Sequence, residues 1–203
     1  MTSTPKIKAI LVSNDYVSAK SRRQILIDSM SDLEKMGVDC KTCPGTCCTS
    51  LANSMLITPL ETIELFDYLL PTLSDQESRN QLISSLKKTI SNYRLDKEIY
   101  TGKKHTQTLR KLYTCPFFNN GSLGCSISRT AKPYGCLGFN PNKPEDNGQT
   151  CSSMTDKLLL RDQNYQANEN QINQAIKLEL NLDWEKKNIP MALLEVIERI
   201  LPV

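Results

Sequence analysis

Four of this chain's eight cysteines fall in one short run, Cys40-Lys-Thr-Cys43-Pro-Gly-Thr-Cys47-Cys48, and the other four, Cys115, Cys125, Cys136 and Cys151, form a looser second set. Thiolate sulfur is a soft donor. Several soft donors on one short loop suit zinc or an iron–sulfur cluster better than they suit a packed core. Cys40-x2-Cys43 has the knuckle spacing at which two sulfurs turn towards one ion, and Cys43-x3-Cys47 extends the arc to a third. Adjacent Cys47 and Cys48 do not readily point the same way, so the second would serve another metal, bridge, or stay free.

The second set is spaced by 9, 10 and 14 intervening residues and supplies no second knuckle, unlike a zinc ribbon. Two four-thiolate sites, one binuclear site, or one site with spare thiols all remain open. Three thiolates on one loop with a remote fourth suit a cubane cluster, as does Pro116 directly after Cys115. An iron–sulfur cluster, [4Fe–4S] in preference, is therefore ranked ahead of zinc or mononuclear iron, and disulfides or metal-free thiols come last. A closed, purely architectural metal weighs as much as a functional centre.

The totals constrain where such chemistry takes place. A chain of 203 residues buries a real core and needs no covalent staples, so one domain spanning 1–203 is expected. The apolar run Ala9-Ile-Leu-Val12 is too short for a signal-peptide core, and no stretch approaches the roughly 20 apolar residues of a membrane span. The cytoplasm, where thiols stay reduced or hold metal, is the expected location, with no membrane partner. The net charge is only +3, aromatic residues make up 6% of the chain, and basic residues are scattered as pairs such as Arg22-Arg23 and Lys186-Lys187. Two of these pairs sit in helical patterns, where a solvated face explains them, and a nucleic-acid partner is not expected.

The elements around the cysteines are mostly helical. Leu26, Met30 and Leu33 mark an amphipathic helix over 18–36 that stops at Gly37. Residues 54–58 read as a short strand, and Thr58-Pro59-Leu60-Glu61 opens a helix with Ile63, Phe66 and Leu70 on its buried face. Ser74-Asp-Gln-Glu77 opens another, to about Tyr93, carrying Leu82, Leu86 and Ile90. Residues 95–111 read as loop. Residues 112–118 and 124–127 read as a hairpin with Cys115 and Cys125 on its two arms, and the Pro- and Gly-rich stretch 129–151 as irregular. Two helices close the chain, about 156–180 and 190–200. The expected fold is mainly α with a small β-hairpin, an α+β arrangement of helices around an irregular cysteine-rich centre at 40–151, followed by C-terminal helices at 156–203.

Cys40-x2-Cys43-x3-Cys47-Cys48 followed by Thr58-Pro59-x-Glu61 resembles the CxxCxxCC family of zinc- or iron-chelating domains, the YkgJ-type cysteine cluster proteins. The second half is similar to the family's Cys-Pro-Phe, Cys-x-Ile, Arg-Pro-x2-Cys and later cysteine at Cys115-Pro-Phe117, Cys125-Ser-Ile127, Pro133-x2-Cys136 and Cys151. This chain has three residues before its double cysteine, Ser128 in place of the family's tyrosine, and Lys132 in place of its arginine. The resemblance implies metal or cluster binding by Cys40, Cys43, Cys47, Cys48, Cys115, Cys125, Cys136 and Cys151. A related branch, the flagellin lysine N-methylases, implies an alternative, a metal-dependent enzyme acting on a protein substrate. A third reading is a structural zinc module that binds a protein partner.

The remaining candidates carry less. His105, the single histidine, lies in a polar stretch and reads as a solvated loop residue rather than a ligand or base. Hydrolase triads are disfavoured accordingly. Asn120-Gly-Ser122 reads as a turn rather than a glycosylation site. Tyr113, Phe117, Phe118, Tyr134 and Phe139 read as an apolar shell around the centre ahead of a substrate pocket, and Lys132 as an ordinary exposed lysine ahead of a cation that offsets the charge of a thiolate cluster.

Overall fold

The computed structural model describes residues 4–37, 45–97, 110–119, 124–141 and 151–201. Seven helices and two small antiparallel strand pairs are found among them, which is the mainly helical α+β fold expected from sequence. Five of the seven helices begin behind a residue whose side chain caps them. Helix α1, Pro5–Ser13, starts behind Thr4, whose hydroxyl accepts the Ile7 amide. Sequence reading assigned no helix there, although Thr4-Pro5 repeats the cap-then-proline signal of Thr58-Pro59. Helix α2, Ala19–Lys35, is capped by Ser18, and Gly37, at φ +83°, takes up the left-handed conformation just beyond its end.

Helix α3, Pro59–Leu69, has the full capping box: Thr58 accepts the Glu61 amide while the Glu61 carboxylate accepts the Thr58 amide. A single tight turn over Leu70–Leu73 leads to α4, Gln76–Asn92, capped by Asp75 rather than by Ser74. Helix α5, Tyr134–Leu137, is one turn long. Helices α6, Thr155–Leu180, and α7, Ile189–Ile200, match the two C-terminal helices read from periodicity, and Asn181 closes α6 in the left-handed region.

Helix α3 packs on α6 and α7, α4 on α7, and α1 on α6. Their shared core includes Ile7, Leu11, Ile63, Phe66, Leu86, Ile172, Ile176, Leu193 and Val196, together with Cys115 and Phe117 from the cysteine segments. Helix α2 turns Leu26 and Met30 onto Tyr134 and Leu137 of α5, a separate small cluster. The centre of the fold is thus packed from both sides.

The strands differ from expectation in where they pair. β1, Leu56–Ile57, pairs with β4, Lys187–Asn188, a segment to which the sequence assigns no element. β2, Phe139–Pro141, pairs with β3, Cys151–Ser153, inside the stretch expected to be irregular. The expected hairpin is reduced to one bridge, Phe118 to Cys125, with Asn119 donating to the Gly124 carbonyl at 2.9 Å and Ser126 to the Phe117 carbonyl at 3.0 Å. Residues 112–115 are drawn away from a ladder because they bond to the first cysteine segment instead. Most of the loop expected at 95–111, the hairpin turn with Asn120, and His105 lie outside the described residues. Among the described residues no helix is long and apolar enough to cross a membrane.

Phe66 is wholly buried in the shared core, whereas Val12 is 79% exposed. Phe66→Ala is expected to lower the free energy of unfolding by about 3–5 kcal/mol, and Val12→Ala to change it by less than about 0.5 kcal/mol, measured by urea denaturation.

Candidate metal centre

The two cysteine sets are separated in sequence and stitched together by backbone hydrogen bonds. The Cys115 amide donates to the Cys48 carbonyl at 2.8 Å, and the Tyr113 amide to the Asn53 carbonyl at 3.0 Å. The Ser50 amide donates to the Thr114 hydroxyl, which also receives the Tyr93 hydroxyl from the end of α4. Tyr113, fully buried, donates to the Met55 carbonyl at 2.8 Å and accepts the Ile189 amide at 3.2 Å, tying the segment to both β1 and α7.

Cys47 and Cys48 sit on a single tight turn, Thr46–Cys48, that begins at Gly45. Gly45 has φ +74°, and a Cβ built there would lie 2.2 Å from the Phe118 ring. Glycine at position 45 is therefore required twice, by backbone conformation and by the close approach of the arm that precedes Cys125.

These contacts bring Cys47, Cys48, Cys115, Cys125 and Cys136 into one electrostatic neighbourhood. Cys48 feels Cys47, Cys115 and Cys136, while Cys136 feels Cys115, Cys125 and Cys47. All five are free thiols. The Cys48 thiol donates towards the Cys47 sulfur, which lowers the Cys47 pKa to about 7 against the opposing effect of burial. Cys48 is correspondingly raised by the same bond and by desolvation. Burial pushes Cys115 up to about 12, and Cys136 well above the ordinary thiol value.

Cys151 opens β3 opposite Pro141, on the strand that returns beside the end of α5 and its Cys136. Cys40 and Cys43 lie outside the described residues. Among the described residues no three cysteine, histidine, aspartate or glutamate side chains converge closely enough to chelate one ion. Thiol sulfur suits a thiophilic metal by donor type, and two of the expected eight cysteines, Cys40 and Cys43, lie outside the described residues.

Arg22 and Arg23 are corrections to the sequence reading. Both are fully buried, not on a solvated face. Arg22 donates to Glu64, Glu169 and the Tyr134 hydroxyl, and Arg23 pairs with Glu64 at 2.7 Å. Arg161 of α6 also pairs with Glu169, and its guanidinium lies 3.3 Å from the Tyr134 ring centroid, with that of Arg23 at 4.5 Å. Tyr134 is thus the hub of an ion network rather than part of an apolar shell. Tyr113 and Phe117 are buried as expected of that shell, and Phe118 and Phe139 are half-buried. The signal that could have found the arginines was present: Arg22, Leu26 and Met30 share a four-residue spacing, so Arg22 lies on the buried stripe.

The network also holds the segment that carries Cys136. Arg23 Nε donates to the Lys132 carbonyl at 2.7 Å, and the Tyr134 amide donates to Glu61 Oε1 at 2.9 Å. Lys132, read as an exposed lysine, is only 8% exposed.

No protein-family model, no curated protein and no solved structure matches the chain.

Gly45→Ala is expected to destabilise the fold by more than about 2 kcal/mol, because left-handed strain adds to overlap with Phe118. Faster reaction of the native protein's cysteines with a thiol reagent is the direct measure; an unchanged rate would show that the turn tolerates the methyl group.

The ion network predicts an acid response. Burial alone would raise the Glu169 pKa, but Arg161 and Arg22 outweigh it and hold the carboxyl below its ordinary value of 4.5. A carboxylate depressed in the folded state stabilises above its unfolded pKa, and that stability is lost as pH falls through the folded value. Wild-type stability should therefore drop below about pH 4.5. Glu169→Gln should cost about 3–5 kcal/mol at pH 7 and show a shallower acid loss, read by denaturation from pH 7 to pH 3.

Proposed function

We propose that this chain is a metal-binding cysteine cluster protein, holding an iron–sulfur cluster, [4Fe–4S] in preference, or zinc through cysteine thiolates. The observation that carries this reading is the assembly of Cys47, Cys48, Cys115, Cys125 and Cys136 from well-separated segments into one neighbourhood of free thiols. A packed interior gains little from neighbouring thiols, and burial opposes the ionisation of Cys47, Cys48, Cys115 and Cys136. A bound cation turns the same arrangement into a stable one, since it replaces the protons and offsets the thiolate charge.

The resemblance to CxxCxxCC chelating domains supports the same reading, and adds Cys40, Cys43 and Cys151 as ligands. An iron–sulfur cluster here would supply electron transfer, and zinc would supply a closed structural clasp. The chain's own residues do the rest. The Cys48 thiol holds the Cys47 pKa down at about 7, Cys48 is tied by its carbonyl to Cys115, and Phe117 and Tyr113 are buried beside Cys115 in sequence. The cytoplasm is the location that suits such a centre, because reduced thiols persist there.

Purification without oxygen, followed by iron, zinc and acid-labile sulfide analysis with a visible spectrum, tests this reading. Iron with sulfide in comparable amounts supports the cluster. Stoichiometric zinc without sulfide supports the clasp, and neither metal, even after reconstitution, rejects both. Cys47→Ser and Cys48→Ser should lose metal unequally, because their sulfurs start from opposite protonation tendencies on adjacent residues. Equal loss would indicate a bridged or binuclear site.

A further inference from the structure

We infer that the face formed by the end of α4 and residues 110–112 docks an acidic segment of a partner protein, one that sets apolar side chains among its carboxylates. The inference goes beyond the metal-binding reading and does not depend on it. Residues 87–111 carry eight of the chain's 25 lysines and arginines but only two of its 22 acidic residues. That leaves 17 basic against 20 acidic residues elsewhere, so the net charge of +3 comes from this stretch.

Tertiary bonds gather part of that charge in one place. The Lys111 ammonium donates to the Leu95 carbonyl at 2.8 Å, to that of Arg94 at 3.1 Å and to that of Lys97, closing the end of α4. The Tyr93 hydroxyl donates to the Thr114 hydroxyl at 2.8 Å. Residues 111 and 114 are thus both fastened to residues 93–97, and Arg94, Lys97 and Arg110 stand exposed around the joint. Lys97 pairs with Asp96 at 3.0 Å. Among the described residues the guanidinium groups of Arg94 and Arg110 have no partner.

The same joint exposes leucine. Leu112 is 47% exposed between the two fastened residues, while Tyr113 beside it is fully buried. The Tyr113 amide donates to the Asn53 carbonyl and the Ser50 amide to the Thr114 hydroxyl, which sets residues 50–53 alongside. Leu51, within that segment, is 78% exposed. Two leucines left in water beside three basic side chains have the anatomy of a protein contact, an apolar middle with an arginine-bearing polar rim.

Charge complementarity selects the partner. Arg94, Lys97 and Arg110 against the single acid Asp96 attract carboxylates and repel basic surfaces. A guanidinium receives a carboxylate through two parallel hydrogen bonds, and the leucines receive the apolar side chains between those carboxylates. Nucleic acid would engage the cations through phosphate and leave the leucines bare. Binding to a membrane surface calls for a helix with a broad apolar face, whereas Leu51 and Leu112 lie outside every helix.

The test uses the full-length reduced chain and a fluorescein-labelled peptide of alternating glutamate pairs and leucines, with anisotropy as the readout. The peptide is expected to bind at low salt, and about tenfold more weakly in about 0.5 M sodium chloride. Arg94→Gln with Arg110→Gln should weaken it about tenfold, each of them alone about threefold, and Leu112→Ser about threefold. Lys8→Gln with Lys20→Gln removes the same charge from exposed positions on α1 and α2, and should leave affinity within about twofold of wild type. All these positions are exposed, so thermal unfolding followed by circular dichroism should differ little.

Absence of peptide binding at low salt would overturn the inference. Equal weakening by the Lys8 and Lys20 substitutions would do the same, since net charge and not this face would then be responsible. Wild-type affinity in Leu112→Ser would reduce the contact to bare charge attraction and overturn it as well. A single-stranded oligonucleotide or phosphatidylserine vesicles that bind more tightly than the peptide, with the same loss in the Arg94 and Arg110 variants, would give the face to nucleic acid or to a membrane instead. Iron and zinc are measured in the same samples; peptide binding by a chain that takes up neither would reject the metal-binding reading and leave this inference standing.

Discussion

Three guanidinium groups and two carboxylates meet around one tyrosine ring in the interior, drawn from α2, α3, α5 and α6. Arg22, Arg23 and Arg161 face Glu64 and Glu169, with the Tyr134 ring between them. Desolvating each such ion costs several kcal/mol, and mutual attraction returns that only where geometry is good and the hydrogen bonds are filled. The network therefore contributes little net stability over an apolar alternative. What it contributes is a single arrangement, because any slip of α2 against α3 or α6 leaves a charge buried without its partner.

That constraint is passed directly to the cysteines. Glu61 closes the capping box of α3 with one carboxylate oxygen and holds the Tyr134 amide with the other. Arg23 bonds the Lys132 carbonyl with the same guanidinium that pairs with Glu64. Cys136 follows two residues after Tyr134, so its position is a consequence of helix packing rather than of its own loop. The opposite edge of the cluster is set differently, by main-chain bonds from Cys115 and Tyr113 to Cys48 and Asn53 and by the fit of Gly45 under Phe118. One side is held by charge, the other by backbone.

The parts of this that were legible in sequence are the local ones. Thr58-Pro59-x-Glu61 states a helix start in four residues, and Leu193, Val196 and Ile197 state a buried face, because caps and periodicity act over one or two turns. Cysteine density pointed to the centre for the same reason. The Arg22–Glu64–Glu169 contacts join residues far apart in the chain, and nothing near Arg22 names its partners. The β1–β4 and β2–β3 pairs were hidden likewise: strands of two or three residues have too little alternation to register, and their partners are set by tertiary packing.

Lys132 shows how the two kinds of information combine. Its type and its place before Pro133 were visible at once, and on those grounds an exposed lysine was the natural reading. Its burial depends on Arg23 and Glu61, which fix the main chain on either side of Pro133. A lysine enclosed in that way costs free energy unless negative charge is delivered nearby. The ion network that fixes the main chain on either side of Pro133 therefore couples the packing of α2 and α3 to the placement of Cys136.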